Sequence, residues 1–185
     1  MILDSPLDEK TVRSLKVGDT VYLRGRIITG RDEMHIRALD YVREGKEVPA
    51  DIYGSTIYHC GPIMAEREGV WYPIAAGPTT SARMNSLEPE MIRTFGIRAI
   101  IGKGGMSTET SEAMAETGCV YLAAVGGTAV SLADGLGVFA GREWSDLGMA
   151  ESIWKFDAEK FGPLTVAMDS EGGNLYEQVR KNLRR

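Results

Sequence analysis

Residues 97–125 read IRAIIGKGGMSTETSEAMAETGCVYLAAV, and this stretch decides the fold. Residues 97–102 (IRAIIG) form a short apolar run that reads as a buried strand, and residues 119–125 (CVYLAAV) form a second. Between them, Ser107 or Thr108 starts a helix that Gly118 stops. Two such strands joined by a helix favour a parallel pair with a right-handed crossover. The pattern continues on both sides. Residues 86–95 predict a helix with Pro89 in its first turn, Met91, Ile92 and Phe95 on one face, and Gly96 at its end. Residues 128–136 predict a helix, 163–168 a strand, and 174–183 a closing amphipathic helix.

Before residue 77 the chain reads as β-rich. Residues 20–29 (TVYLRGRIIT) predict a strand with a possible bulge at Gly25, and residues 31–44 a helix with Met34, Ala38, Leu39 and Val42 at helical spacing and Gly45 as its stop. Further strands are expected at 55–59 and 70–75, flanking a turn around Glu68 and Gly69, so a small sheet with one helix is expected here. The expected fold class is α/β, with a parallel central sheet, helices, and an additional antiparallel β layer from the N-terminal part. A length of 185 residues suits a single domain spanning 1–185.

Composition narrows the function classes. With 43% hydrophobic and 25% charged residues the chain is an ordinary globular protein. A net charge of −5 and a pI near 5.2 argue against a nucleic-acid footprint or a polybasic membrane surface, so an anionic ligand must be met by local cations. The start, MILDSPLDEK, lacks the pattern of a signal peptide, and no apolar run reaches membrane-spanning length, which makes the cytoplasm the default location. The only cysteines, Cys60 and Cys119, lie far apart in apolar surroundings and read as buried thiols. They are too few for a four-iron cluster, which needs three or four thiolates, and no metal site is expected from this chain alone.

The candidate chemistry lies on two glycine-rich turns. Residues 77–84 (GPTTSARM) leave a strand through Gly77 and Pro78, so Thr79, Thr80 and Ser81 fall where hydroxyls and backbone N–H groups can converge on an anion. Arg83 is four residues beyond Thr79, on the same face if a helical turn begins there, and a guanidinium can hold a carboxylate by two parallel hydrogen bonds. A capped turn with a surface arginine is the competing reading. Lys103 follows the 97–102 strand and precedes Gly104 and Gly105, where backbone can approach a ligand closely. The GxxxxGK[ST] spacing is absent there, and residues 126–135 (GGTAVSLADG) lack GxGxxG, which weakens a nucleotide reading. Arg31 sits at a helix start, where its charge opposes the helix dipole, so a task outside the local structure is indicated; His35 is one turn further on. His59 has no second ligand near it in sequence.

Six segments then carry a resemblance that covers nearly the whole chain: GRDEMH (30–35), IYHCGPI (57–63), AAGPTTSARM (75–84), IIGKGG (100–105), LGMAESIW (147–154) and GPLTVAMDSEGGNLY (162–176). In this order they resemble the β subunit, or C-terminal domain, of iron-sulfur class I fumarases and L-tartrate dehydratases. The resemblance implies a swivelling β/β/α fold and a cluster-bearing α subunit as partner, in an αβ or α2β2 assembly. A 4Fe-4S cluster is then expected on that partner, with none bound by this chain. It also implies Arg31, Arg83 and Lys103 as cations for a small dicarboxylate, Thr79 as a catalytic threonine, and secondary places for Thr80, Ser81, His35 and Gly104. Met34 departs from the family's commonest form, where a smaller residue precedes the histidine. The function expected is the β subunit of a hydro-lyase interconverting fumarate and (S)-malate; L-tartrate dehydration is the same-class alternative, and a non-catalytic anion-binding or interaction module the different-class one.

Overall fold

The computed structural model describes residues 1–183; the last two positions of the expected domain lie outside the described residues. Nine strands and six helices follow in the order β1 (Ile2–Ser5), α1 (Glu9–Ser14), β2 (Thr20–Thr29), α2 (Asp32–Arg43), β3 (Thr56–Tyr58), β4 (Ile63–Arg67), β5 (Val70–Ala75), α3 (Glu88–Phe95), β6 (Ala99–Gly102), α4 (Thr108–Thr117), β7 (Val120–Ala123), α5 (Ala129–Gly135), β8 (Val138–Glu143), β9 (Ile153–Met168) and α6 (Leu175–Leu183). Local chemistry explains the helix limits. Ser107 caps α4 by accepting from the Thr110 amide, while Gly96 and Gly118 end α3 and α4 in the left-handed region at φ 63° and 74°.

The fold is α/β. Seven strands form one sheet in the order β1-β2-β3-β6-β7-β9-β8, in which β1, β2, β3, β6 and β7 run parallel. β9 runs antiparallel to both β7 and β2, pairing Leu122 with Val166 on one side and Leu23 with Phe161 on the other. β2, β3, β6, β7 and β9 therefore close into a ring.

Side-chain alternation divides the core between the two faces of that ring. Leu23, Ile27, Tyr58, Ile101, Leu122, Phe156 and Phe161 belong to one buried cluster; their neighbours Ile28, Ile57, Ile100 and Tyr121 belong to the other, with Met34, Leu39, Met91, Ile92, Phe95 and Met114 from the helices. Each fully buried aliphatic or aromatic side chain of this kind contributes roughly 1.5–3 kcal/mol of transfer free energy.

Three expectations need correction. The strand at residues 20–29 and the one near 55–59 do not build a separate N-terminal sheet but enter the main one, because Ile28 and Ile57 must bury against the helices on its outer face. The separate antiparallel layer is only the β4–β5 hairpin, whose turn places Glu68 and Gly69 at positive φ. β5 thus pairs with β4, a strand not anticipated from the sequence. Third, the strand expected at 163–168 is the end of the 16-residue β9, and β1, α1 and β8 also lacked a sequence expectation.

Candidate active site

The carboxyl ends of the parallel strands β2, β3 and β6 lie side by side, and the cation-bearing turns grow from them. The carboxyl ends of parallel strands are where α/β folds, open or closed, present their binding loops. Gly30 donates from its amide to the Tyr58 carbonyl at 3.0 Å, which fixes the turn into Arg31 against the end of β3. Arg31 is the residue before α2, and its Nε donates to Glu151 Oε1 at 2.5 Å; Glu151 Oε2 also accepts from the Glu33 amide. A Cβ on Gly61 would lie 3.1 Å from the Arg31 guanidinium carbon, so glycine there leaves room for that group. Met34 is wholly buried, its methyl group packed where any side chain at Gly30 would go.

Residues 79–81 run alongside the ends of β3 and β6 as an extra piece of strand. The Thr79 amide donates to the His59 carbonyl at 2.7 Å, the Ser81 amide donates to the Lys103 carbonyl at 3.0 Å, and Thr80 and Lys103 form a parallel bridge. Thr79 is consequently extended, and the shared helical face expected for Thr79 and Arg83 does not form. A short 3-10 turn, Ser81–Met84, carries Arg83 instead. Arg83 is more than half exposed, and its Nη2 lies 2.8 Å from Asp32 Oδ2 without hydrogen-bond alignment. Lys103 and Thr80 are exposed and Thr79 is half-buried. Gly104 and Gly105 take φ of 85° and 73°, a backbone conformation that other residues rarely adopt.

The structure thus gathers Arg31, Asp32, Thr79, Thr80, Arg83, Lys103 and Gly104 around one end of the ring. His35 and Ser81 lie beneath them, wholly buried. His35 Nδ1 is 2.8 Å from the Arg31 carbonyl, and its Nε2 is 3.0 Å from Glu88 Oε2. His59 Nε2 is 3.1 Å from the same oxygen, off the line of a well-aligned hydrogen bond, while its Nδ1 is 2.8 Å from Ser81 Oγ. Tyr121 donates its hydroxyl to Ser81 Oγ at 3.0 Å. A side chain at Gly102 would collide with that serine hydroxyl.

Burial and charge compete in this cluster. Burial pushes the Glu88 carboxyl up, but the two imidazoles outweigh it and hold the group well below the usual carboxylate range. His35 is lowered by burial and raised more strongly by Glu88 and the Arg31 carbonyl, so it ends above its ordinary value. For His59 burial wins, and it ends below. Glu88 had no place in the sequence reading, since an acidic residue before Pro89 looks like ordinary first-turn chemistry.

His35, His59 and Glu88 also form the one group among the described residues that brings three potential metal-ligating atoms within 4.8 Å of each other. The two contacts to a single carboxylate oxygen have the length of hydrogen bonds. Cys60 and Cys119 are free and buried, with burial pushing Cys60 up to about 12 and Cys119 well above its ordinary value. Neither is set up as a thiolate ligand, so the donors of this chain do not fit an iron-sulfur cluster. No described helix is long and apolar enough to cross a membrane.

Fold and site together define an α/β domain that presents cationic, hydroxyl-bearing turns at the carboxyl ends of parallel strands. The chain belongs to the family described as Fumarase C-terminus, which it matches over residues 1–179. It is 46% identical over 178 residues to the "Putative L(+)-tartrate dehydratase subunit beta" of Methanocaldococcus jannaschii, covering 96% of this chain and 91% of that one. It is 36% identical over 180 residues to the L(+)-tartrate dehydratase subunit beta of Escherichia coli K12, covering 97% and 88%. Against the "Putative fumarate hydratase class I" of Geobacillus stearothermophilus it is 41% identical over 181 residues, covering 97% of this chain but only 34% of that one.

Proposed function

We propose that this chain is the β component of a two-component hydro-lyase that adds or removes water on a four-carbon dicarboxylate. The observation that carries the reading is the convergence of Arg31, Arg83 and Lys103, with Thr79, at the ends of three adjacent strands in a member of this family. Fumarate and (S)-malate remain the substrates expected from the sequence. L-tartrate dehydration has equal support, because two of the relatives above carry that name. The Geobacillus relative is about three times as long as the aligned segment, which supports a second component carrying the rest of the site. We assign the 4Fe-4S cluster to that α component, since the two thiols here do not fit it.

The residues of this chain bind and orient. Arg83 and Lys103 hold one carboxylate of the substrate, the arginine through a planar fork and the lysine as a compact charge. Removing a proton beside that carboxylate delocalises negative charge into it, so fixed cations stabilise the transition state more than the ground state. Arg31 holds the other end of the substrate, steered by Glu151. Thr79 lies at the proton-transfer position; an unassisted hydroxyl is a weak base, so it acts with a carboxylate from the partner.

The decisive experiment is anaerobic co-expression with a partner carrying three cluster-type cysteines, followed by parallel assays with malate and tartrate. Turnover of either substrate supports the reading. A complex that binds dicarboxylates and turns over neither would leave only an anion-binding module.

A further inference from the structure

We infer that Glu88, with His35 and His59, is the positioning hub of the site: one buried charged cluster that ties the turns bearing Arg31, Thr79 and Lys103 to one another from below. The inference rests on the proposed function only in taking those turns as the ones that meet substrate.

The connections are explicit. Through His35 the hub reaches the carbonyl of Arg31 at 2.8 Å. Through His59 it reaches the second turn twice, by the ring contact to Ser81 Oγ and by the His59 carbonyl that accepts from the Thr79 amide. Ser81 in turn meets the Lys103 carbonyl through its amide and Tyr121 through its hydroxyl. Glu88, His35, His59 and Ser81 are all at zero exposure, so water does not compete for these bonds. The rings of His35 and His59 meet edge to face at 5.3 Å, which restricts both.

One proton arrangement fits the contacts around Glu88 Oε2 and Ser81 and leaves Glu88 Oε1 without a partner. The Tyr121 hydroxyl donates to Ser81, so the Ser81 hydroxyl is free to donate to His59 Nδ1, and the proton of His59 is then on Nε2, facing Glu88. His35 donates from Nδ1 to the Arg31 carbonyl and from Nε2 to Glu88, which makes it the cation. One anion, one cation and one neutral ring balance inside the protein. The other ionisable groups that sense this cluster are Asp32, Cys119 and Tyr121. A resident metal ion requires both Nε2 atoms without protons, so the proton count separates the two possibilities.

His35 and His59 are the only histidines in the chain, so nitrogen NMR of the histidine-labelled protein reads the hub directly. The expected result for the isolated chain at pH 6.5 is one doubly protonated and one singly protonated imidazole, the first losing its proton above the ordinary histidine value and the second gaining one only below it. Two imidazoles titrating together near the ordinary value, or stoichiometric zinc in the purified chain, would overturn the hub. In Glu88→Gln, the cationic signal should disappear and amide exchange in residues 31–33, 79–83 and 103–105 should quicken about tenfold or more, with β1 unchanged. Unchanged exchange in those turns overturns the inference.

Should Glu88→Gln not fold, Ser81→Ala cuts one of the two links to the second turn, together with the Tyr121 contact, and keeps the bond between the His59 carbonyl and the Thr79 amide. It should leave both imidazole charge states as they are, shift the amide signals of residues 79–83, lower Tm by about 2–8 °C because the Tyr121 hydroxyl and His59 Nδ1 lose their buried partner, and lower kcat/KM of the assembled enzyme about tenfold at a temperature where the fold is intact. Wild-type signals and rate in Ser81→Ala would also refute the hub. An assembled enzyme inactive on malate and tartrate would defeat the proposed function alone, since NMR and exchange need no turnover.

Discussion

Arg83 Nη2 rests 2.8 Å from Asp32 Oδ2, so the first residue of α2 holds the guanidinium that the proposed reaction needs for substrate. The contact joins two turns 51 positions apart and parks the arginine beside the strand ends. A substrate carboxylate offering two aligned oxygens can replace this poorly aligned partner. Arg83→Lys keeps the charge and loses the fork, so it should recover little of the about ten- to hundredfold loss in kcat/KM expected for Arg83→Ala. Near-wild-type turnover in Arg83→Lys would show that only the charge matters.

Lys103→Ala should also lower kcat/KM by about ten- to a hundredfold, because a charge-assisted contact is lost. The lysine is exposed, so Tm should stay within a degree or two. Thermal unfolding and kinetics on one preparation check the split; a large fall in Tm would make Lys103 a structural residue.

Cys60 and Cys119 should react slowly with thiol reagents at pH 8 in the folded chain and promptly after unfolding. Burial keeps both as neutral thiols there, Cys60 with its value pushed up to about 12. The isolated chain should therefore also emerge from anaerobic reconstitution without stoichiometric iron and sulfide. Bound cluster with turnover in this chain alone would refute the two-component reading.

The acid limb of stability should depend on Glu88. Its folded value is below the ordinary 4.5, so its contribution is fully present above that pH and is lost as pH falls through the folded value. His35 runs the other way: held above 6.5, it stabilises below that pH and its contribution fades as pH rises past the folded value. His59, held below 6.5, favours the folded state above that pH and loses this as pH falls through its folded value. Denaturant titrations at a series of pH values should show a flatter acid limb for Glu88→Gln. Glu88→Ala, which removes the buried partner of both imidazoles and leaves a cavity, should cost about 3–5 kcal/mol near neutrality. Identical acid slopes in wild type and Glu88→Gln would mean that Glu88 takes up its proton over the same pH range folded and unfolded, with no depression by the imidazoles.

If the proposed partner shares the site, the turns at 31–33, 79–83 and 103–105 should gain amide protection on assembly. Protection confined to the opposite end of the ring would place the interface elsewhere.

Elements with local signatures were legible in the sequence. The alternating strand at residues 20–29 and the helices ending at Gly45, Gly96 and Gly118 are set by nearby side chains and by glycines at positive φ. β9 was legible only at its end, because IWKFDAEKFGPLTVAM mixes charges with apolar residues and contains Gly162 and Pro163. What makes it one strand is pairing with β2 and β7, distant in sequence. β4 was missed for a related reason: exposed Ile63, Glu66 and Arg67 offer little apolar pattern. At the site, the turns around Thr79 and Lys103 stood out through composition, whereas Glu88 gains its meaning only from His35 and His59, 53 and 29 positions before it.

Because the ring shuts through Thr20 against Thr165, nascent β2 leaves the ribosome long before the strand that completes it. At about 5–20 residues per second, the wait is on the order of ten seconds of elongation. During that interval Val21, Leu23 and Ile27, all buried in the finished protein, have no β9 to cover them. Synthesis thus exposes an apolar edge that chaperones, or a neighbouring nascent copy, can bind. The yield of soluble protein then depends on how quickly residues 153–168 arrive.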